Sequence, residues 1–256
     1  MGVLRALPRP YSGARRMESS DTPATLYLIP TPLGPGGTPW LSDADRACIA
    51  SLSLFFVENE RSARRFLSSL ELEQPVSSLT LHRFDKEATL TDARRLLEAL
   101  PPGTSAGVLS EAGAPCVADP GALLVRAAHE RGIRVSPFIG PSSILLALMA
   151  SGLNGQQFTF HGYAPIEANG CRNWITRIEE TSRRTGFTQL WIETPYRTCR
   201  MFQLVKEAVS PNTLLSIAHD IGGPNELFLT VPASASAEPL LNPRAPTVFG
   251  LLAADR

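Results

Sequence analysis

The residue types best suited to chemistry lie in one stretch, 109–121, with the sequence LSEAGAPCVADPG. Its two acids, Glu111 and Asp119, stand among two glycines and two prolines, directly after an apolar run. Glycine permits backbone conformations closed to other residues, and proline fixes φ and removes a donor. Ligands of open α/β sheets bind beyond the carboxyl ends of strands, which favours a ligand-binding loop. A tight turn that caps the next helix explains the same residues, and the spacing leaves both interpretations open.

A second group of reactive side chains, Glu58-Asn59-Glu60-Arg61, follows the apolar run 54–57. Either glutamate could accept a proton from a hydroxyl group, as Glu111 could, and Arg61 could orient a phosphate or a carboxylate. Acids near the start of a helix also interact favourably with the helix dipole, so a plain helix start is an equal alternative.

Two further loops are rich in glycine and proline. The sequence GPSS at 140–143 precedes an apolar helix-like segment, where serine hydroxyls and free N–H groups could hold a polar ligand. The loop at 31–39 does not fit the dinucleotide fingerprint G-x-G-x-x-G, because Pro39 occupies the position of the third glycine. Its prolines also lack N–H groups, which argues against a phosphate cradle there.

The elements that would position these loops alternate between strand and helix as far as about residue 150. Such alternation predicts a mainly parallel sheet covered on both faces. The polar stretch 151–157 indicates a linker, and more strands with fewer helices follow it, which is typical of a mixed sheet. We therefore predict an α/β protein with two α/β domains, at 24–154 and 155–256, after a disordered tail at 1–23.

Composition narrows the class of protein. The chain has 256 residues, a formal net charge of zero and 43% hydrophobic residues, which is typical of a globular protein. A polyanion would therefore have to be held by a local basic patch. The four cysteines form no CxxC pair and the four histidines show no metal spacing, so we expect a cytoplasmic protein without a metal. No apolar run approaches the roughly 18 residues of a membrane span, so no membrane partner is expected.

Five motifs, taken in order, resemble the tetrapyrrole methylase superfamily of S-adenosylmethionine-dependent methyltransferases. They are LYLIPTPLG at 26–34, ENERSARRFL at 58–67, LSEAGAPCVADPG at 109–121, IGPSS at 139–143 and IETPYR at 192–197. Within the superfamily the chain is most similar to the RsmI type, which methylates a ribose 2′-hydroxyl of 16S ribosomal RNA. It differs from that type at 58–61, at 110–115 and at 218–222, and it is short at the carboxyl end, which indicates a compact subgroup.

The resemblance implies that S-adenosylmethionine lies in a cleft between the two domains and that the protein is a homodimer. Carried over by motif, the residues that would line the cleft are Pro32, Leu33, Gly113, Ala114, Val117, Ala118, Ser142, Ser143, Ile192, Ala218 and Thr247. An adenine needs an apolar slot, and an amino acid needs N–H groups and hydroxyls. The catalytic candidates are Glu58, Arg61 and Glu111, and the RNA-binding candidates are Arg64, Arg65, Arg172, Arg177, Arg183, Arg184, Arg197 and Arg200.

Three functions remain open at this point. The leading hypothesis is a methyltransferase acting on an RNA ribose 2′-hydroxyl of the small ribosomal subunit. A methylase acting on a tetrapyrrole or another small molecule is an enzyme alternative, in which arginines would hold carboxylates. A cofactor-binding ribosome-assembly module without turnover is the third.

Overall fold

Two five-stranded sheets, one in each half of the chain, organise the fold. The structure is a computed structural model, and it describes residues 24–35, 37–72, 74–235 and 239–254. The predicted tail at 1–23 lies outside the described residues.

The first sheet is wholly parallel, as the alternating pattern predicts. Its strands follow the order β3-β2-β4-β1-β5. They are β1 (Thr25–Ile29), β2 (Leu54–Val57), β3 (Thr80–Arg83), β4 (Ala106–Leu109) and β5 (Arg134–Pro137). The connecting helices are α1 (Asp43–Ser51), α2 (Glu60–Ser68), α3 (Leu90–Glu98) and α4 (Gly121–Glu130), with a 3-10 turn at Val76–Ser78.

The position of β2 in the sheet explains why its sequence is a continuous apolar run. Phe55 and Val57 join a core under α1 and α2, whereas Leu54 and Phe56 join the core under α3 and α4. Because side chains alternate along a strand, a strand with helices on both faces needs apolar residues at every position. The sheet is therefore covered on both faces, and this prediction is confirmed.

The strand order brings three loops to one edge of the sheet. Strand β4 lies between β1 and β2, so the carboxyl ends of these three parallel strands are neighbours. The loops after them carry residues 30–42, 58–59 and 110–120. This edge is where an open α/β sheet binds ligands.

The second sheet is mixed, as predicted, with the strand order β6-β7-β10-β8-β9. Only β6 and β7 pair in parallel. Its strands are β6 (Phe158–Tyr163), β7 (Thr188–Glu193), β8 (Leu214–His219), β9 (Leu227–Pro232) and β10 (Thr247–Leu252), and the helices α6 (Ala168–Thr185) and α7 (Thr198–Ala208) cover one face. Trp191 and Phe249 stack in the core beneath them, with ring centroids 5.4 Å apart.

Helix α5 (Ser143–Ser151) covers the other face of the second sheet. Its Ile144 and Leu148 pack with Leu190, Ala218 and Val248. That burial explains the apolar residues on one face of this helix, whereas Leu145 and Met149 are exposed. The predicted division of the chain near residue 155 stays a prediction, and the packing adds that α5, on its N-terminal side, contacts the C-terminal sheet.

The two halves meet closely where their backbones touch. A Cβ atom on Gly34, in the loop after β1, would lie 2.1 Å from the carbonyl oxygen of Gly222, in the loop after β8. A glycine at position 34 is therefore needed for this approach. None of the helices in the described part of the chain has the length and apolar character that crossing a bilayer requires.

The variant Gly34→Ala should lose stability, because its methyl group has no space against Gly222. Overpacking of this kind costs about 1–3 kcal/mol. The measurement is the free energy of unfolding in urea. Gly155→Ala is the matched control, since a Cβ there meets no atom within 4 Å and its φ is not positive. Equal stabilities of the two variants would contradict the close contact.

Candidate functional site

A cleft of about 420 Å³ lies between the two sheets, beyond the carboxyl ends of the first sheet's strands. Its lining comes from both halves of the chain and consists of Leu33, Glu58, Ser110, Glu111, Ala112, Gly113, Ala114, Val117, Ala118, Asp119, Ser142, Ser143, Ile144, Tyr163, Ile192, Pro195, Ala218, Ile221, Pro246, Thr247 and Val248. The volume falls within the range of small-molecule sites, roughly 300–1,000 Å³.

The structure brings together nearly all of the residues that the sequence suggested. Every predicted cofactor-binding residue lines the cleft except Pro32, which lies beside the bridge formed by Thr31. Of the catalytic candidates, Glu58 and Glu111 line the cleft and Arg61 does not. Arg61 is an exposed residue in the first turn of α2. The roles of these residues stay predictions.

The loop after β4 is fixed to the loop after β1 by backbone hydrogen bonds. The Thr31 N–H donates to the Gly113 carbonyl at 3.0 Å, and the Gly113 N–H donates to the Thr31 carbonyl at 3.1 Å. The Ser110 hydroxyl also donates to the Gly113 carbonyl, at 2.8 Å. Gly113 has φ 75° and a Cβ there would meet a side-chain methyl of Leu33 at 2.9 Å, so glycine is strongly favoured at this position. These hydrogen bonds thus fix the shape of the cleft wall that the two loops form.

The same loop holds two residues other than glycine in the left-handed region, Cys116 (φ 69°) and Ala118 (φ 55°). The Asp119 carboxylate stabilises this path, because its Oδ1 accepts from the N–H groups of Cys116 (3.2 Å) and Gly121 (2.7 Å). Helix α4 begins at Gly121 with Pro120 as its N-cap, so Asp119 lies one residue before the cap. Strained backbone of this kind is concentrated at functional sites.

Three carboxyl groups, those of Glu58, Glu111 and Asp119, meet at one end of the cleft. Burial raises the pKa of Glu58, and the charges of Asp119 and Glu111 raise it further. Burial also raises the pKa of Asp119, whose carboxyl group is hydrogen-bonded to that of Glu58. Two neighbouring carboxyl groups repel each other when both are ionised, so the pair loses its protons less readily than two separate acids. The Asp119 carboxylate accepts two N–H groups, which favours its ionised form over that of Glu58.

Glu111 differs from this pair in its surroundings. It is exposed to the cleft, and its Oε1 accepts a hydrogen bond from the Asn59 side-chain amide at 3.3 Å. Asn59 is also the N-cap of α2, since its Oδ1 accepts from the N–H of Arg61 at 2.9 Å. One side chain thus orients Glu111 and begins the helix.

Tyr163, at the end of β6, faces the carboxyl cluster from the second sheet. Burial raises the pKa of its hydroxyl, and the charges of Glu58 and Glu111 add to that effect. The sequence analysis did not single out this residue. The only available signal was its place as the last residue of a predicted strand.

The hydroxyl groups of the cleft differ in whether they can still donate a hydrogen bond to a ligand. Ser142 caps α5 by accepting from the Leu145 N–H at 3.5 Å, so its own O–H can still donate to a ligand. The Thr247 hydroxyl is already engaged, because it accepts from His219 Nδ1 (2.8 Å) and donates to the Thr198 hydroxyl (3.2 Å). His219 Nε2 accepts from the Asn242 N–H, and burial lowers the pKa of this ring. His219 is thus a neutral core residue.

The predicted RNA-binding arginines do not form a single group. Arg64, Arg172, Arg183 and Arg197 form ion pairs with glutamates. Arg184 lies in the last turn of α6, at the sheet edge opposite the cleft. Among the described residues, no grouping of acids, histidines and cysteines suits a metal ion.

Curated proteins of known sequence show clear similarity to the chain. The ribosomal RNA small subunit methyltransferase I of Xylella fastidiosa (strain Temecula1) is 36% identical over 167 residues, which cover 65% of this chain and 59% of that protein. The protein of the same description from Micromonospora olivasterospora is 30% identical over 228 residues, 89% of this chain and 67% of its own length. No protein-family model matches the chain.

Among solved structures, the crystal structure of the methyltransferase CobJ has a TM-score of 0.58 to this chain. The alignment covers 90% of this chain and 94% of that one, at 19% sequence identity. This likeness concerns the fold and confirms the two-domain α/β class. The chain spans 59% of the length of the Xylella protein, so the similarity does not by itself assign the activity of that whole protein to this chain.

The variant Glu58→Gln should raise the melting temperature at pH 8, on the order of 2 °C. A carboxyl group whose folded pKa is raised contributes stability below its ordinary pKa, and this contribution is lost as the pH rises through the raised value. Glutamine carries no charge, and its amide can donate to Asp119. The difference should vanish below about pH 4.

Glu60→Gln is the control for this measurement, because Glu60 is exposed and only pairs with Arg64 at 3.5 Å. It should leave the melting temperature nearly unchanged at both pH values. A lower melting temperature of Glu58→Gln than of the unmodified protein at pH 8 would contradict the repulsion between Glu58 and Asp119.

Proposed function

This chain belongs to the ribosomal RNA small subunit methyltransferase I family, and from that premise we propose that it methylates a ribose 2′-hydroxyl of small-subunit ribosomal RNA, with S-adenosylmethionine as the methyl donor. One observation carries the proposal beyond family membership. The charged side chains among the described residues of the cleft are all carboxyls, those of Glu58, Glu111 and Asp119. A negative cleft suits a ligand with a positive sulfonium group.

The lining also fits the other parts of this cofactor. Leu33, Ile192 and Ala218 offer the apolar surface that an adenine requires, and Ser142 and Ser143 offer hydroxyls at a helix start for an amino acid carboxylate. The cofactor has no phosphate, and a cleft without cationic lining in the described residues would hold a nucleotide phosphate poorly. When bound, the cofactor supplies an electrophilic methyl group.

The protein must then orient a ribose hydroxyl and accept its proton. As the hydroxyl oxygen bonds to the methyl carbon, the carbon–sulfur bond breaks and the hydroxyl proton has to leave. Glu58 is half-buried beside the charge of Asp119, whereas Glu111 is exposed to the cleft and oriented by Asn59. We assign Glu111 as the proton acceptor. Alignment of the two reactants supplies a further share of the rate.

We propose in addition that the protein acts in the cytoplasm, as ribosomal RNA modification requires, and that it is a homodimer. Support for the dimer comes from α5, where Leu145 and Met149 lie one turn apart with 52% and 78% of their surfaces exposed. Ile139, just before the helix, is exposed as well. A group of exposed apolar side chains on one surface is typical of a protein interface.

S-adenosylmethionine with a labelled methyl group, offered with small-subunit ribosomal RNA, should label the RNA. A ribose 2′-O-methyl group resists alkaline hydrolysis, so the label should be recovered in an alkali-resistant dinucleotide. Glu111→Gln should lower the rate by about 10²–10⁴. Its cofactor affinity, measured by calorimetry, should fall by a much smaller factor than the rate, because Glu58 and Asp119 still line the cleft and the glutamine oxygen still accepts from Asn59.

Other outcomes of that experiment would assign a different function to the protein. Label in a tetrapyrrole precursor and none in RNA would identify a small-molecule methylase. Label in neither, with cofactor binding intact, would leave a binding module without turnover. A Glu111→Gln variant at the unmodified rate would remove Glu111 as the proton acceptor and leave the reaction itself unaffected.

The double variant Leu145→Asp and Met149→Asp should sediment as a monomer in analytical ultracentrifugation, whereas the unmodified chain sediments as a dimer. Charges buried in an apolar interface are costly unless they are paired. Leu240→Asp is the control, because Leu240 is fully exposed in a loop. A double variant that remains dimeric would place the interface elsewhere.

A further inference from the structure

The loop between β7 and α7 holds an exposed tyrosine in an unfavourable backbone conformation. Tyr196 has φ 72°, a region that residues other than glycine and asparagine rarely adopt. Its side chain is 79% exposed, so burial of the ring does not compensate for the strain. Backbone strain that is not offset by packing of the side chain is typical of functional sites.

An ion pair between the buried Glu193 and the partly exposed Arg197 fixes this loop. Glu193 Oε1 accepts from the Thr194 N–H at 2.8 Å, and Glu193 Oε2 lies 3.3 Å from Arg197 Nη2. The same Arg197 nitrogen donates to the Pro165 carbonyl at 2.8 Å, which ties the loop to the one after β6. The Tyr196 N–H donates to the Pro243 carbonyl at 2.6 Å. The motif at 192–197 therefore holds Tyr196 rigidly while its ring faces solvent.

The position of this ring places it at the rim of the cleft. Strands β6 and β7 pair in parallel, with Tyr163 opposite Ile192, so their carboxyl ends lie side by side. Tyr163 lines the cleft with 55% of its surface exposed, and Pro195, next to Tyr196, lines it too. Two exposed tyrosines thus lie at the opening of the cleft, Tyr163 at the end of β6 and Tyr196 in the loop after β7.

Two arginines without ion pairs lie near Tyr196. Arg200 lies in the first turn of α7, four residues after Tyr196, and Arg244 follows Pro243, whose carbonyl accepts from Tyr196. Both arginines are exposed, and neither pairs with an acid within 24–35, 37–72, 74–235 or 239–254. Guanidinium groups bind phosphates, and exposed rings stack with bases, so together they suit a single-stranded nucleic acid.

We propose that Tyr163, Tyr196, Arg200 and Arg244 form a binding surface for single-stranded RNA, which we call the rim surface. A base stacks on Tyr196, and Arg200 and Arg244 hold the adjoining phosphates. Tyr163 contacts the nucleotide that enters the cleft. The choice of RNA as the occupant rests on the proposed function; the surface itself rests on the strain, exposure and charge of these residues.

The rim surface is tested by the binding of a fluorescent single-stranded oligoribonucleotide of about 12 nucleotides, measured by anisotropy on the full chain. Tyr196→Asn should weaken binding by roughly 5- to 150-fold, since it removes one stacked base. Tyr196→Phe should bind like the unmodified chain. Asparagine tolerates a positive φ, so Tyr196→Asn should keep or raise the melting temperature.

The arginines are tested through the dependence of affinity on salt. The double variant Arg200→Ala and Arg244→Ala should reduce the slope of log affinity against log salt by about 1.4, because each phosphate contact on a single strand contributes about 0.7. Arg184→Ala is the matched control: Arg184 is exposed and without an ion pair in the described residues, but it lies at the opposite edge of the sheet. Its slope should not change.

Equal RNA affinities of Tyr196→Asn and the unmodified chain would overturn the rim surface. So would a lower melting temperature of Tyr196→Asn, which would assign the residue a purely structural role. Uroporphyrin binding that depends on Tyr196, without RNA binding, would also overturn it. Labelled methyl transfer to RNA that persists in any of these cases keeps the proposed function, whereas RNA binding through Tyr196 without transfer keeps the rim surface alone.

Discussion

The pair of hydrogen bonds between Thr31 and Gly113 is the constraint on which the cleft depends. These bonds join the loops after β1 and β4, and both flanking groups, Thr31 and Ser110, are buried. Buried backbone groups have to be paired, so two irregular loops can lie inside the protein only if they satisfy each other. The pairing lets one loop carry Leu33 toward the ligand space while the other carries its carboxyl groups there.

The carboxyl cluster shows how the site and the stability of the fold oppose each other. Burial raises the pKa values of both Glu58 and Asp119, and the charge of Asp119 raises that of Glu58 further. A core made only for stability would avoid this arrangement, because an apolar residue in place of either acid removes the repulsion. The surrounding sheet, with Phe55 and Phe56 fully buried on opposite faces, supplies stability that offsets the cost.

The sequence was most informative where a local pattern has only one structural solution. The apolar run of β2, the capped start of α5 at Ser142 and the loop around Gly113 follow from burial, capping and glycine geometry, all of which act over a few residues. The place of Tyr163 could not be predicted, because it depends on how the two sheets pack. The pairing of Glu58 with Asp119 could not be predicted either, because it depends on the path of the loop after β4. Arg61 was placed in the site by its motif, yet its helical position directs it away from the cleft lining.

The packing of α5 bears on how such proteins can be divided or recombined. The helix stands before the linker, yet Ile144 and Leu148 cover Leu190, Ala218 and Val248 of the sheet that comes after it. A recombination at the linker would separate α5 from the second sheet. The apolar residues on that face of the sheet would then be exposed to solvent. The second sheet therefore depends on a helix from the first half of the chain, and a division that keeps this packing intact lies ahead of Ser142.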